Sequence, residues 1–528
     1  MVTSVLADFG FRTEDVDERV VDGGEGAVPG TVGTRDREVA SDVVVGPYCE
    51  SGPLFDLLLP VVDDVCTLDG EQRRYTSYSH AAGHVLSAYC TSPFAQRREP
   101  AFVLVRDSDM FPQLYWVDPG YGVDNGGHLF RLIGHTYDTA AHHFGPFRPE
   151  LRPDHVDDLS VAGKLMAYFA LGKVRESIVT LLSEVFDDEP DGESERALRL
   201  RHSVGGFGSP AEPSMPVLHR FFDAARTRLS GSGHSDQDVL APIHQFIEDL
   251  LVEWLTLRIA AWKDSGRFNL CFAGGCALNT KWNSALGESP MVDRMWLPPF
   301  PNDSGSAIGA AALGMIRHSC IEAIEWNVRS GPKLLPTTEV PEGWTSAPCT
   351  TAELARVLHE TGEPVVVLNG RAELGPCALG GRSVLAAATS PRIKDRLNDL
   401  KHREHFRPVA PICLVNEAPA IFDPRTPDPH ILFDHSVRQD WLRRIPAVVH
   451  LDGTARLQTL SVDDEVLAEI HTACHHVSGI PVLCNTCANL DGSVFFPDAT
   501  SATAWGGVDR IWSEGKLYQC AGTESEAP

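Results

Sequence analysis

The stretch Phe268–Leu286, FNLCFAGGCALNTKWNSAL, reads as a strand, a Gly-Gly turn and a helix in immediate succession. A second such unit follows at Met295–Ile316, MWLPPFPNDSGSAIGAAALGMI. Repeated strand–glycine turn–helix units point to an α/β layer fold with ligands at the carboxyl ends of the strands. Backbone N–H groups at such helix starts suit a phosphate. Neither turn matches the P-loop or the dinucleotide fingerprint, and taken alone each is more often close packing of strand on helix.

Upstream, YSHAAGHVLSAYC has helical periodicity, AFVLVRD is a buried strand, and PQLYWVD is its hairpin partner. The start, MVTSVLADFGFRTEDVDERVVDGG, reads as a helix followed by a strand, and SVAGKLMAYFALG as a helix. A long helix is expected over Ala241–Lys263, where Ile243, Phe246, Ile247, Leu250, Leu251 and Trp254 form one stripe, with Gly266 as its stop. Asp187–Met215 is polar and reads as a surface excursion. Residues 331–348, rich in Pro, Ser and Thr, read as a linker between a first domain over 1–330 and a second over 349–528. In the second, TTAELARVLHETGE is a helix, PVVVLNG a strand, and GIPVLCNTCANLDGSVFF a strand–turn–strand.

A chain of 528 residues exceeds one ordinary core. No apolar run reaches the ~18–20 residues of a membrane span, and no leader-like segment opens the sequence, so a cytoplasmic protein without membrane partners is expected. Thirteen scattered cysteines fit free thiols. A net charge of −27 opposes nucleic acid as a partner, so anionic substrates need local basic pockets.

His80 and His84 are spaced to face one way on a helix, which suits a divalent metal or arises by chance among 21 histidines. Asp107 at a strand end and Asp303 in PNDSGS are candidate carboxylate ligands. Lys164 is a weaker candidate for a phosphate. The loop Gly370–Ala386, GRAELGPCALGGRSVLA, carries Arg371 and Arg382 and precedes Lys394, Arg396, Lys401, His402, Arg403 and Arg407. This cluster favours an anion over salt bridges to Glu373, Asp395 and Glu404. Cys484 and Cys487 in CNTC read as buried thiols rather than a zinc or redox pair.

Together, SHAAGHVLSAYCTSPF, AGKLM, FAGGCALNTKWN, PPFPNDSGSAIGAA, GRAELGPCALGGRSVLA, DRLNDLKHREHFRPVAPICL and IPVLCNTCANLDG resemble the O-carbamoyltransferases of antibiotic and nodulation-factor biosynthesis. The resemblance implies an actin-like (ASKHA) N-terminal domain and a YrdC-like C-terminal domain. It implies carbamoyl-adenylate formation from ATP and carbamoyl phosphate in the second domain, and transfer to a hydroxyl of a small molecule in the first. By the same resemblance His80, His84, Asp303 and, less directly, Asp107 are metal ligands and catalytic residues, with iron the implied metal and magnesium accompanying ATP. Gly274, Gly275, Asn279 and Ser304, Gly305 and Ser306 would line the adenylate pocket, with Lys164 reaching a phosphate. Arg371, Arg382, Lys401 and Arg403 would hold ATP and carbamoyl phosphate, and Asn485 and Asn489 fall in the family's asparagine-bearing turn. A homodimer is compatible with the resemblance.

Two departures stand out. Cys377 replaces the arginine of the family's GPRALG loop, with Arg382, Arg403 or His402 as substitutes, and Cys377→Arg is expected to lower the Michaelis constant for carbamoyl phosphate. The sequence also begins after the family's HDG-type phosphate turn, so the first sheet is expected to be incomplete and the native start to lie upstream of Met1. A non-catalytic relative that binds nucleotide or a partner enzyme is the alternative reading.

Overall fold

The computed structural model describes residues 6–24, 28–36, 39–49, 56–68, 70–147, 160–188, 214–263, 266–318, 323–424, 427–489 and 495–522. The chain is a mixed α/β protein that divides into two compact units, Met1–Trp326 and Asn327–Pro528. No described helix is long and apolar enough to cross a membrane.

The first unit is built on a five-stranded sheet ordered Val292–Trp296, Phe268–Ala273, Ala101–Val105, Gln113–Val117, Val123–His128. The first three strands run parallel and the last two complete an antiparallel meander. Every side chain of Ala101–Val105 is buried, as a central strand covered on both faces requires. A smaller sheet holds Val20–Val21 parallel to Glu71–Ser77, which pairs antiparallel with Val62–Leu68. Among the described residues the opening segment is helical at Leu6–Asp8 and makes a short 3-10 turn at Thr13–Asp15 before that strand.

Every residue of the helix His80–Cys90 is buried. It crosses the helix Asp303–Arg317 at glycine: a Cβ on Gly309 would lie 1.7 Å from the Gly83 carbonyl oxygen. Small residues at this crossing let two backbones touch, which sets where Asp303 stands relative to the two histidines. The long helix spans Asp236–Trp262 and carries Pro242 inside; Lys263 after it is extended, so Gly266 does not stop it. The surface excursion expected at Asp187–Met215 lies almost wholly outside the described residues.

The second unit is an eight-stranded sheet ordered 344–348, 516–520, 510–513, 365–368, 382–387, 483–487, 410–414, 458–460. The helices Thr351–Thr361 and Glu465–Ser478 pack together over one apolar cluster. The stretch read as a linker belongs to this unit. Trp344–Pro348 is an edge strand on Lys516–Cys520, and the N–H groups of Gly331 and Leu334 donate to the carbonyls of Ala372 and Gly370.

Candidate functional site

Four loops at strand ends and helix starts meet in the first unit. Asp22 follows the strand Val20–Val21, and His80 opens the helix after Glu71–Ser77. Asp107 follows Ala101–Val105, and Asp303 is the first residue of its helix. His80, His84, Asp107 and Asp303 each offer one ligand atom, all within 4.8 Å of one another. The two Nε2 atoms are 3.0 Å apart. His80 Nε2 lies 3.5 Å from Asp107 Oδ2 and 3.6 Å from Asp303 Oδ1; His84 Nε2 lies 3.8 Å from each.

These separations match the edges of a coordination polyhedron with bonds of about 2.1 Å, roughly 3.0 Å for an octahedron and 3.4 Å for a tetrahedron. Two imidazoles and two carboxylates suit a borderline transition metal. His80, His84 and Asp107 are buried, whereas the Asp303 side chain is 74% exposed, so the cluster is closed on three sides and open on one. Such residues fit a catalytic metal, which needs a position for substrate.

Around the four donors lie groups that fix their orientation. Asp22 Oδ2 is 2.8 Å from His80 Nδ1 and 2.5 Å from Ser306 Oγ. Tyr48 donates to Asp107 Oδ2 at 2.5 Å while its ring stacks on His80, and the Gly275 N–H donates to Asp107 Oδ1. Burial opposes a charge on His80, but its bonds to Asp107, Asp22 and Asp303 outweigh that and push its pKa up to about 12. Burial likewise works to raise Asp107, yet His80 and His84 hold it well below the usual carboxylate range. The surrounding carboxylates thus favour a proton on His80, and a divalent cation at the centre would take its place. Asp22 and Tyr48 were not singled out from the sequence. The only local signal is an acidic residue between a Val-Val strand and Gly23–Gly24.

In the first glycine turn both glycine N–H groups are used within the fold. Gly274 N–H donates to the Pro301 carbonyl and Gly275 N–H to Asp107. Gly274, at φ +92°, lets the chain pass the Arg106 carbonyl, which a Cβ would approach to 2.2 Å. Asn279 is buried and caps its helix through Trp282 N–H while donating to Tyr137 Oη. Ser306 is buried against Asp22, Gly305 is buried, and Ser304 is exposed in the first turn of the Asp303 helix. Lys164 sits half-buried on the helix Ser160–Tyr168.

In the second unit the loop does cradle an anion, but the anion is internal. Glu373 Oε1 accepts the N–H groups of Leu379, Gly381 and Arg382 at 2.7, 2.6 and 3.3 Å. Arg382, buried, donates to the carbonyls of Phe496, Asn369, Gly381, Pro332 and Gly370, which uses its fork to hold the loop rather than to face a ligand. Lys401 is buried against the Cys487 carbonyl and two oxygens of Asn489. Asn485 donates to Ala378 and Gln458, and Arg371 to the Gly331 carbonyl. Arg403 remains, with two partners. Burial first, then Arg403 and Arg456, lowers Arg407 to about 10, and burial and Arg403 lower Arg456. Among the described residues no hydrogen bond or ion pair reaches the guanidinium groups of Arg403, Arg407 or Arg456, and Arg456 Nε is buried without a partner. Three cations stand close together, with Glu404 near Arg407 and Asp434 near Arg456 as the opposing charges. Arg456, not Arg382 or His402, is the guanidinium beside Cys377. Cys484 and Cys487 sit three apart in the strand Leu483–Cys487, so they point to opposite faces.

Residues 55–312 match the family described as Carbamoyltransferase N-terminus, and residues 355–510 match Carbamoyltransferase C-terminus. The chain belongs to the carbamoyltransferase family. Nodulation protein U of Rhizobium tropici is 48% identical over 519 residues, covering 98% of this chain and 88% of that protein. Nodulation protein U of Bradyrhizobium diazoefficiens is 46% identical over 530 residues, covering 100% and 91%. The 3'-hydroxymethylcephem-O-carbamoyltransferase of Streptomyces clavuligerus is 38% identical over 228 residues, 43% of each chain. This carbamoyltransferase is therefore an enzyme with the paired family domains, one in each compact unit.

Proposed function

We propose that this carbamoyltransferase makes carbamoyl-adenylate from ATP and carbamoyl phosphate in its second unit and transfers the carbamoyl group to a hydroxyl of a small natural product in its first. The observation that carries the reading is the convergence of His80, His84, Asp107 and Asp303 on one point, closed on three sides and open on the Asp303 side. A divalent metal held there, iron by family resemblance, would supply positive charge to the adenylate phosphate. Asp22 and Tyr48 keep His80 and Asp107 aimed at that point. The acceptor oxygen attacks the carbamoyl carbon, the bond from that carbon to the phosphate oxygen breaks, and AMP leaves. The hydroxyl proton departs on the exposed side of the cluster. In the second unit Arg403, Arg407 and Arg456 would hold the anionic co-substrates, a reading supported by their mutual closeness and by the buried, unpartnered Nε of Arg456. The first unit would be the ASKHA-like domain and the second the YrdC-like domain, acting on a small acceptor in the cytoplasm.

The test is AMP release by the metal-loaded protein given ATP with magnesium, carbamoyl phosphate and a panel of hydroxyl acceptors. Release that needs carbamoyl phosphate, together with acceptor mass increased by one carbamoyl group, supports the reading. No AMP from protein shown to hold the metal would favour the non-catalytic alternative.

A further inference from the structure

A second group of metal-binding side chains lies in the second unit, far in sequence from the histidine pair. Cys413 is in the strand Ala410–Leu414, Glu417 is in the turn after it, and His471 is on the helix Glu465–Ser478. One donor atom of each lies within 4.8 Å of the other two. His475, one helical turn beyond His471, places Nδ1 2.9 Å from Glu417 Oε1. The pattern is Cys-x3-Glu with His-x3-His, and the helical spacing puts both imidazoles on one face.

The hydrogen bonding of His471 says what is missing. Its Nε2 lies 3.0 Å from the Pro481 carbonyl oxygen. A carbonyl only accepts, so Nε2 carries a hydrogen; burial favours the neutral ring, in which Nδ1 carries the lone pair. This is the arrangement by which a backbone carbonyl orients a metal-ligating histidine. Nδ1 is buried without a hydrogen-bond partner, and so is Glu417 Oε2. The two face each other at 3.9 Å, too far for one shared proton to bridge. His471 is 1% exposed, so water does not serve as an easy substitute. Two buried acceptors turned toward each other beside a buried thiol need a cation between them. Nitrogen, oxygen and sulfur donors together select zinc over magnesium or calcium.

We propose that Cys413, Glu417, His471 and His475 form a structural zinc site that ties the helix Glu465–Ser478 to the strand Ala410–Leu414. On binding, the Cys413 S–H bond breaks, its proton goes to solvent and a sulfur–zinc bond forms, with no change of oxidation state. Four protein ligands would close the coordination sphere, as in a structural rather than a catalytic centre.

Cobalt separates this site from the first. The full chain is stripped with chelator and titrated with Co2+ alone. A thiolate ligand gives a sulfur-to-cobalt charge-transfer band in the near ultraviolet, and the His80 cluster contains no sulfur. The band should have the intensity of one thiolate-bound Co2+ per chain and be displaced by Zn2+. It should vanish in Cys413→Ala, while Glu417→Gln and His475→Ala should weaken cobalt binding more than about ten-fold. Zn2+ should raise the thermal midpoint of the wild type. If Cys413→Ala does not fold, the other two variants decide. No band in the wild type, a band retained in Cys413→Ala, or unweakened binding in both Glu417→Gln and His475→Ala overturns the proposal.

Discussion

Replacing Asp22 by alanine removes no metal ligand, yet it should weaken the centre through His80. The Asp22–His80 bond is 2.8 Å long, and the Asp22 side chain is only 19% exposed. A charge-assisted hydrogen bond in such a setting contributes about 1.5–3 kcal/mol. That converts to a loss of roughly ten-fold to 150-fold in metal affinity, in line with the effect of other carboxylates that orient metal-bound histidines. Asp22→Asn keeps an oxygen that can accept from Nδ1–H, so it should lose only about 1 kcal/mol, or roughly five-fold. The assay is competition with a chelator of known affinity, counting only the equivalent of metal that His84→Ala fails to bind. Thermal unfolding of each variant establishes that the fold is kept. An Asp22→Ala affinity within two-fold of wild type, with His84→Ala still losing the metal, refutes the orienting role. So does an Asp22→Asn protein weaker than Asp22→Ala.

Other consequences follow from single contacts. Arg456→Ala should raise the Michaelis constant for carbamoyl phosphate or ATP about ten-fold or more in AMP-release kinetics, with metal content unchanged, because Arg456 Nε is buried and unpartnered. Cys377→Arg should raise that constant rather than lower it, since a fourth guanidinium would crowd Arg456; the sequence alone led to the opposite expectation. Glu373→Gln should destabilise the second unit by about 2–4 kcal/mol, seen as a fall of roughly 4–16 °C in its thermal transition, because a neutral amide oxygen holds the three N–H groups less strongly than a carboxylate and its NH2 would stand where Oε2 is buried without a partner. Gly309→Ala should force the two crossing helices apart and lower both metal content and stability, as its Cβ would meet the Gly83 carbonyl.

The strand–turn–helix units were legible because periodicity and glycine are local signals. Phe268–Ala273, its turn, and the helix at Asp303 fall where the sequence places them. His80 and His84 were legible because one helix fixes their geometry, and Asp107 and Asp303 because each ends or begins an element. Asp22 and Tyr48 were not, since long-range packing alone brings them to Asp107 and His80. The sequence suggests a cradle for a bound anion in the loop at Gly370–Ala386, whereas its N–H groups close on the carboxylate of Glu373. A sequence shows that Glu373 is near but not that its carboxylate turns inward. Arg456 lies 79 positions beyond Cys377, and no local pattern announces it. Part of the stretch read as a linker is an edge strand because edge strands tolerate Pro, and only pairing with Lys516–Cys520 reveals it.

In the proposed mechanism His80, His84, Asp107 and Asp303 hold the metal at which the carbamoyl group is transferred. This is tested most directly by measuring metal content and AMP release on the same samples of wild type and His84→Ala, with ATP, carbamoyl phosphate and acceptor supplied. The prediction is one metal equivalent fewer in His84→Ala and acceptor-dependent AMP release lowered by about a thousand-fold or more. Equal metal content in the two proteins, or undiminished AMP release from a variant that has lost the metal, would contradict it.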